Sequence, residues 1–479
     1  MIAIAAFAFV LRTRFDVTQL GAVGDGKTMC TKAIQRAIDS VGKGVVNVPA
    51  GVYLTGSLHL RSHVELHLEK GATLLGSRFR KDYDRALWFS LLIGDKLEDV
   101  AITGEGTIDG NGKALAQDVL RLVDTGEVKI PAGGWRPSEQ DRVEILELTE
   151  CHGVRVEGVK IQNACCWVQT YRRCGDLTLK GLRVYSKTYW NNDGFDIVDC
   201  RNVRVADCDV DSCDDGICLK SERRDSRCEN VLIEHCSVRS SASAIKFGTA
   251  SYGGFRKVVV KDIRIRDTFR SCVALESVDG GTLEDVLVEN VKAVNTGNAF
   301  FIRLGHRNLS APTGRVRNVT LRDFDVQVPA GQPDQGYSFQ GPPVTEPHNV
   351  FPSSIVGHTE VPIENVQLER INIRMAGGGS RAVADVAIDK VPERPSNYPE
   401  FTMFGELPAW ALYVRHIKGL TIKELTVTVD KPDYRPPFVA DDVSGLTADS
   451  VAVHGADPVF MTRLCHDVKL GAGVRVVPR

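Results

Sequence analysis

The sequence predicts an all-β chain: a right-handed parallel β-helix with a short N-terminal capping helix and long loops on one face. Three observations carry this reading. A phrase that opens at Cys151 returns at Cys174, Cys200 and Cys228, and weaker copies open at Phe255, Leu283, Val316 and Ile363. The starts lie roughly 23 to 33 residues apart, a period typical of stacked solenoids. Within each copy apolar and polar residues alternate, as in a half-buried strand, and Asn or Gly precedes many strands, as tight turns require. One copy cannot bury its apolar face alone, but a stack can. The handedness follows the rule for parallel crossovers. A β-propeller would need blades of ~40 or more residues, longer than these repeats.

Taken in order, residues 1–14 read as a truncated signal or disordered N-terminus. The apolar run from Met1 to Val10 has no positive region before it, and a first strand is the alternative. Residues 15–479 read as a single β-helix domain. Phe15 to Lys27 is a strand running into a Gly-rich turn. Thr31 to Val41 is an amphipathic helix with Ala33, Ile34, Ala37 and Ile38 on one face, placed to cover the open end of the solenoid. The stretches 45–52, 64–75 and 97–112 are early rungs. The period breaks at about 114–139, 329–362 and 377–408, and rungs resume at 416–429 and 445–453. Long inserts on a rigid scaffold are commonly functional walls.

The 479 residues carry a net charge of −2, with 43% hydrophobic and 25% charged residues. That composition is ordinary for a soluble globular chain. It leaves no basic footprint for nucleic acid and no apolar run of ~18 residues for a membrane. Of the thirteen cysteines, Cys151, Cys174, Cys200, Cys228, Cys208 and Cys236 fall at repeat-equivalent positions. They read as reduced, packed small hydrophobes, with no cofactor or metal expected. A periplasmic or secreted location is expected.

One stretch holds more carboxylates than the repeat needs: Asp193 and Asp196, then Asp214 and Asp215 one rung later. Adjacent strands lie ~4.8 Å apart, so Asp193 should sit beside the Asp214–Asp215 pair. Three carboxylates at that range cannot all ionise normally, and at least one should be raised into a proton donor. A protonated and a charged carboxyl are the equipment for glycoside hydrolysis. Asp196 reads as a turn cap.

Asn191-Asn192-Asp193 resembles the Asn-Thr-Asp motif of glycoside hydrolase family 28, the polygalacturonases and their pectin-degrading relatives, and Asp214-Asp215 resembles that family's paired aspartates. The resemblance runs from Phe15 through Gly106–Gly110 to the later rungs. It implies an inverting hydrolase with Asp214 as general acid and with Asp193 and Asp215 positioning and deprotonating the attacking water. Two of the family's motifs differ here. Ser243 stands where its Gly-His-Gly histidine is expected, and Ala274 and Glu276 stand where its Arg-Ile-Lys cations are expected. These departures predict a neutral or differently substituted plant or algal saccharide as substrate, rather than that of a typical polygalacturonase, and the long loops at 114–139, 329–362 and 377–408, closing the ends of the groove, favour exo action.

Alternation supplies further substrate-binding candidates. Ile245, Phe247, Phe300, Ile302 and Leu304 should point inward, and Lys220, Lys246, Glu276 and Arg303 outward along the wall of the aspartates, where cations suit an anionic substituent. Trp190, Tyr189, Tyr252 and Phe255 are candidates for stacking on sugar rings. Asn192, Ser243 and His306 are candidates for hydrogen bonds to substrate. A polysaccharide lyase using Ca²⁺ and Lys220 or Lys246 as base, or a non-catalytic carbohydrate-binding β-helix, are the alternatives.

Overall fold

The computed structural model describes residues 13–334, 336–337 and 348–478. Its strands pair in parallel, rung upon rung, as a right-handed β-helix. The central rungs have three strands each. Gly175–Lys180, Arg183–Ser186 and Phe195–Val198 are followed by Arg201–Ala206, Asp209–Ser212 and Ile217–Ser221, then by Cys228–Glu234, Ser237–Ser240 and Ile245–Ser251.

The register is the one the repeat predicts. Leu177, Val203, Val231, Val258, Val286, Val319, Val366, Leu420 and Leu446 form one inward row. A one-residue slip would turn the whole row outward, so burial fixes the pairing. Cys228 pairs with Phe255, Phe255 with Leu283 and Leu283 with Val316, so the cysteine row continues as an apolar row. All thirteen cysteines are free thiols, and all but Cys465 are buried. At the turns Asn202, Asn230, Asn318 and Asn365 adopt φ of 54°, 56°, 55° and 55°. Asn tolerates that left-handed region. The stacked side chains also bond to each other: Asn230 Nδ2 donates to Asn202 Oδ1 at 2.8 Å.

The capping helix spans Thr31–Ser40 and buries the four expected residues. Thr13–Asp16 pairs with the strand Gly44–Val48, so Thr13 and Arg14 belong to the first strand, and the rest of the 1–14 reading lies outside the described residues. The expected loops contain regular structure, including a short helix at Arg381–Ala384 in the third. Within 114–139, residues Gly112–Asp124 form a helix burying Leu115, Ala116, Val119 and Leu122. Its apolar spacing is masked in sequence by the Pro- and Gly-rich stretch that follows. Within 329–362, Ser353–Val356 is a strand that continues the wall through Phe301↔Ser354. The 377–408 segment folds outside that wall, where Phe401 and Phe404 join Phe301, Phe351 and Tyr413 in a second apolar cluster. Among the described residues no helix is long and apolar enough to cross a membrane.

Candidate active site

The acidic turns stack because their backbones bond across rungs. Val168 N donates to Asp193 O at 3.0 Å, Gly194 N to Asp215 O at 2.9 Å, and Gly216 N to Ser243 O at 2.9 Å. Asp193 and Asp215 are each followed by a glycine for a steric reason. A Cβ on Gly194 would lie 2.5 Å from the Gly216 carbonyl oxygen, and one on Gly216 would lie 2.4 Å from Val238 Cγ1. Only glycine lets these turns approach so closely. Ser212 Oγ and Ser240 Oγ both donate to the Asp214 carbonyl, at 2.8 and 2.6 Å.

Asp193, Asp214 and Asp215 are brought together at 4%, 4% and 5% exposure, with an oxygen of Asp193 within 4.8 Å of one of Asp215. Their partners differ. Lys220 Nζ lies 3.1 Å from Asp193 Oδ2. Lys246 Nζ lies 3.4 Å from Asp215 Oδ2, and Ser243 N donates to Asp215 Oδ1 at 3.0 Å. Asp214 makes no ion pair among the described residues. Its Oδ1 accepts from Asp215 N at 2.8 Å, and its Oδ2 accepts from Asn191 Nδ2 at 3.2 Å. Burial, then the negative charges of Asp193 and Asp215, hold the Asp214 carboxyl well above the usual range. Burial pushes Asp215 up as well, but Lys246, Arg270 and Lys220 outweigh it and leave Asp215 below the usual range. Burial raises Asp193 against the pull of Lys220. The cluster therefore sets a carboxyl that favours its proton next to one that favours its charge.

A cleft of about 400 Å³ opens over these groups, with Trp167, Asn191, Lys220, Glu222, Arg270, Arg307 and Tyr398 in its lining. Lys220 stands 4.1 Å from the centre of the Trp167 ring. Asp196 is not a turn cap: it lies in the strand Phe195–Val198, fully buried, and pairs with Lys220. Strand alternation holds for Ile245, Phe247, Phe300, Ile302 and Leu304, all in the core. The outward residues occupy two rows, not one. Lys246 aligns with Cys218 and Ala274, while Glu276 aligns with Arg303. The strand register shifts between Leu219 and Ser221.

Lys246 and Glu276 are 1% and 2% exposed, beneath the cleft floor. Burial, opposed by Lys246 at 3.8 Å, pushes Glu276 up to about 8. It thus stands beside a cation instead of facing the cleft. Ser243 contributes its backbone N–H to Asp215. Asn192 is buried and serves the turn, accepting from Ser186 Oγ at 2.8 Å; Asn191, one residue earlier, is the amide on Asp214. Phe255 is a core residue 5.3 Å from Phe247. Tyr189 and Trp190 pack on each other at 4.5 Å, with Trp135 4.8 Å from Trp190, to the side of the lining. Tyr252 is half-buried outside the lining. The structure does not bring Arg303 or His306 into the cleft. Arg303 donates to backbone carbonyls, and His306 Nε2 lies 2.7 Å from Ala311 O.

Trp167, Arg270, Arg307 and Tyr398 went unnoticed in sequence. The first stands beside Cys165 and Cys166 with no motif to mark it, and the others come from later rungs and an insert. Asp193, Asp215 and Cys218 offer three ligand atoms within reach of one cation. Lys220 and Lys246 already place two ammonium groups on those carboxylates, so the donor set does not fit a divalent ion.

Comparisons with known proteins agree with the fold. A probable polygalacturonase of Vitis vinifera is 26% identical over 313 residues, 60% of this chain and 57% of that protein. An exo-poly-alpha-D-galacturonosidase of Dickeya chrysanthemi is 44% identical over 122 residues, 22% of this chain and 20% of that protein. The chain thus spans little more than half of the first of these relatives. The structure of a Yersinia enterocolitica family 28 exopolygalacturonase superposes with a TM-score of 0.60 at 18% identity, covering 97% of this chain and 79% of the other, a likeness of fold. The family model for glycosyl hydrolases family 28 matches residues 39–386, and the chain belongs to that family.

Proposed function

We propose that this chain is an inverting glycoside hydrolase that removes sugar units from the end of a pectin-class saccharide. The observation that carries the mechanism is the unequal partnering of three adjacent carboxylates. Asp193 and Asp215 each face a lysine, whereas Asp214 has only neutral hydrogen-bond partners. Asp214 keeps its proton and gives it to the departing glycosidic oxygen. Asp215, held charged, takes a proton from a water on the opposite face of the sugar, with Asp193 orienting that water. The water adds to the anomeric carbon as the C–O bond breaks, so one water is consumed per bond and the anomeric configuration inverts.

The lyase reading is disfavoured by the same lysines. A lyase base must be neutral to accept a proton, and carboxylates hold both Lys220 and Lys246 well above the usual range despite burial. End-on attack is supported by Tyr398 rising at the cleft from a segment inserted between rungs, and by the Dickeya relative named for exo action. The cations of the lining are Arg270 and Arg307 together with Lys220 and Arg136, none of them from 274–276, which favours a mixed or substituted saccharide that carries an acidic group over plain polygalacturonate. A secreted or periplasmic location suits a polymeric substrate.

A panel of polygalacturonic acid, trigalacturonate and mixed or neutral pectic polymers tests this. Early release of one short product from a mixed acidic polymer is expected. Rapid conversion of polygalacturonic acid into random oligomers contradicts both the exo assignment and the specificity.

A further inference from the structure

Arg303 and His306, expected to grip sugar, grip a segment of this chain instead. Arg303 is 1% exposed. Its Nη1 donates to Gly357 O at 3.0 Å, and its Nη2 donates to Glu393 O at 2.8 Å and Arg394 O at 3.2 Å. The His306 N–H donates to Pro395 O at 2.7 Å. Two rungs on, in the row Arg303↔Val356↔Arg415, Arg415 Nη1 donates to Val391 O at 2.8 Å and Nη2 pairs with the Glu393 carboxylate at 2.5 Å. His416 Nε2 lies 3.2 Å from both Glu393 oxygens.

Residues 391–395 are therefore tied to the wall at almost every position, although 394–398 are exposed. A buried guanidinium must have its donors satisfied, and Arg303 satisfies most of them on backbone carbonyls, four of them. That arrangement fixes backbone position independently of side chain. Directly after the tied stretch come the two residues that reach the active site. Tyr398 lines the cleft with 52% exposure, and its hydroxyl accepts from Lys246 at 3.2 Å. Glu400 holds Arg270 at 2.8 Å. Phe401 and Phe404 then anchor the far end in the second apolar cluster.

We propose that residues 391–404 form the substrate-selecting wall of the cleft, and that Arg303 and Arg415 are positioning residues that clasp it from behind and set where Tyr398 stands over the sugar. The proposal rests on reading the cleft as a glycosidase site. Ordering a segment before substrate arrives removes that cost from binding, so loosening the clasp should weaken binding more than chemistry.

The test uses the full chain with Arg303→Met, Glu393→Ala, Tyr398→Ala and the double variant of the last two. With the mixed acidic pectic polymer as probe, each single change should raise KM about tenfold while kcat stays within about twofold. The double variant should be no worse than Tyr398→Ala, because both act through one element. Hydrogen exchange should speed up at 391–404 in Arg303→Met and Glu393→Ala, and stay unchanged in the strands Ile245–Ser251 and Leu412–Lys431. Unchanged exchange at 391–404, or KM effects that multiply in the double variant, overturns the proposal. If the wild-type protein cleaves no member of the panel of polygalacturonic acid, trigalacturonate and mixed or neutral pectic polymers, the glycosidase reading is what fails, and the exchange data still decide the clasp.

Discussion

Two sets of buried charges sit on the same wall of this β-helix, a few rungs apart, with opposite consequences. Downstream, Arg415, Asp441 and Arg463 occupy one strand row, and Asp441 takes Arg415 Nε at 3.0 Å and Arg463 Nε at 2.7 Å. Each charge there has an opposite neighbour, and 391–404 closes over the row. Upstream, Lys220 and Lys246 pair with Asp193 and Asp215, and Asp214 lies under an open cleft with no ion pair among the described residues. The backbone is the same in both places. Where each charge meets an opposite one the result is structure, whereas a carboxyl with no cation beside it at the mouth of a cleft is a candidate acid. Buried ion pairs are weak evidence for stability, and buried like charges are strong evidence for function.

The largest expected effect is on the carboxyl with no cation beside it. Asp214→Asn should lower kcat/KM by roughly 10²- to 10⁴-fold with an unchanged far-UV spectrum, and more than about a tenth of the activity surviving on that scale removes Asp214 from its role. In the paired set the effect moves to stability. Asp441→Asn removes a fully buried carboxylate from Arg415, which keeps only Glu393, and from the part-exposed Arg463, and should cost about 3 kcal/mol in denaturant unfolding, with kcat of the folded fraction nearly unchanged. A large kcat loss there with stability intact erases the distinction between the two sets.

The Asp214–Asp215 pair sharpens the contrast through the sign of its linkage to folding. Asp214 titrates higher in the folded protein, so its contribution to stability is present at low pH and is lost as pH rises through its folded value. Asp215 titrates lower, so its contribution is present above its unfolded value and is lost as pH falls through its folded value. At mildly alkaline pH Asp214→Asn should therefore raise Tm and Asp215→Asn should lower it. Two shifts of the same sign contradict the assignment of acid and base. A smaller effect belongs to Lys246→Met. Removing the cation beside Asp215 should move the acidic limb of the kcat/KM profile upward by about one pH unit or more, and an unmoved limb disconnects Lys246 from the base.

The rungs were legible in sequence because strand register repeats a local pattern: Cys228, Phe255, Leu283 and Val316 announce their alignment. The carboxylates were legible for the same reason, one rung being one repeat. The partners were not. Asp196 reads locally as turn chemistry, and its pairing with Lys220 needs the register of two strands. Tyr398 meets Lys246 across 152 residues of chain, and no periodicity reports where an insert folds back. Arg303 pointed outward as expected, but outward there means under the 391–404 segment, so direction was predictable and exposure was not.

The account's central claim is that Asp214 donates a proton from one side of the sugar while Asp215 activates water on the other. Proton NMR of the first-formed product, recorded before mutarotation, reads this directly. An anomeric configuration opposite to that of the cleaved linkage is predicted, and a retained configuration would contradict the assigned mechanism.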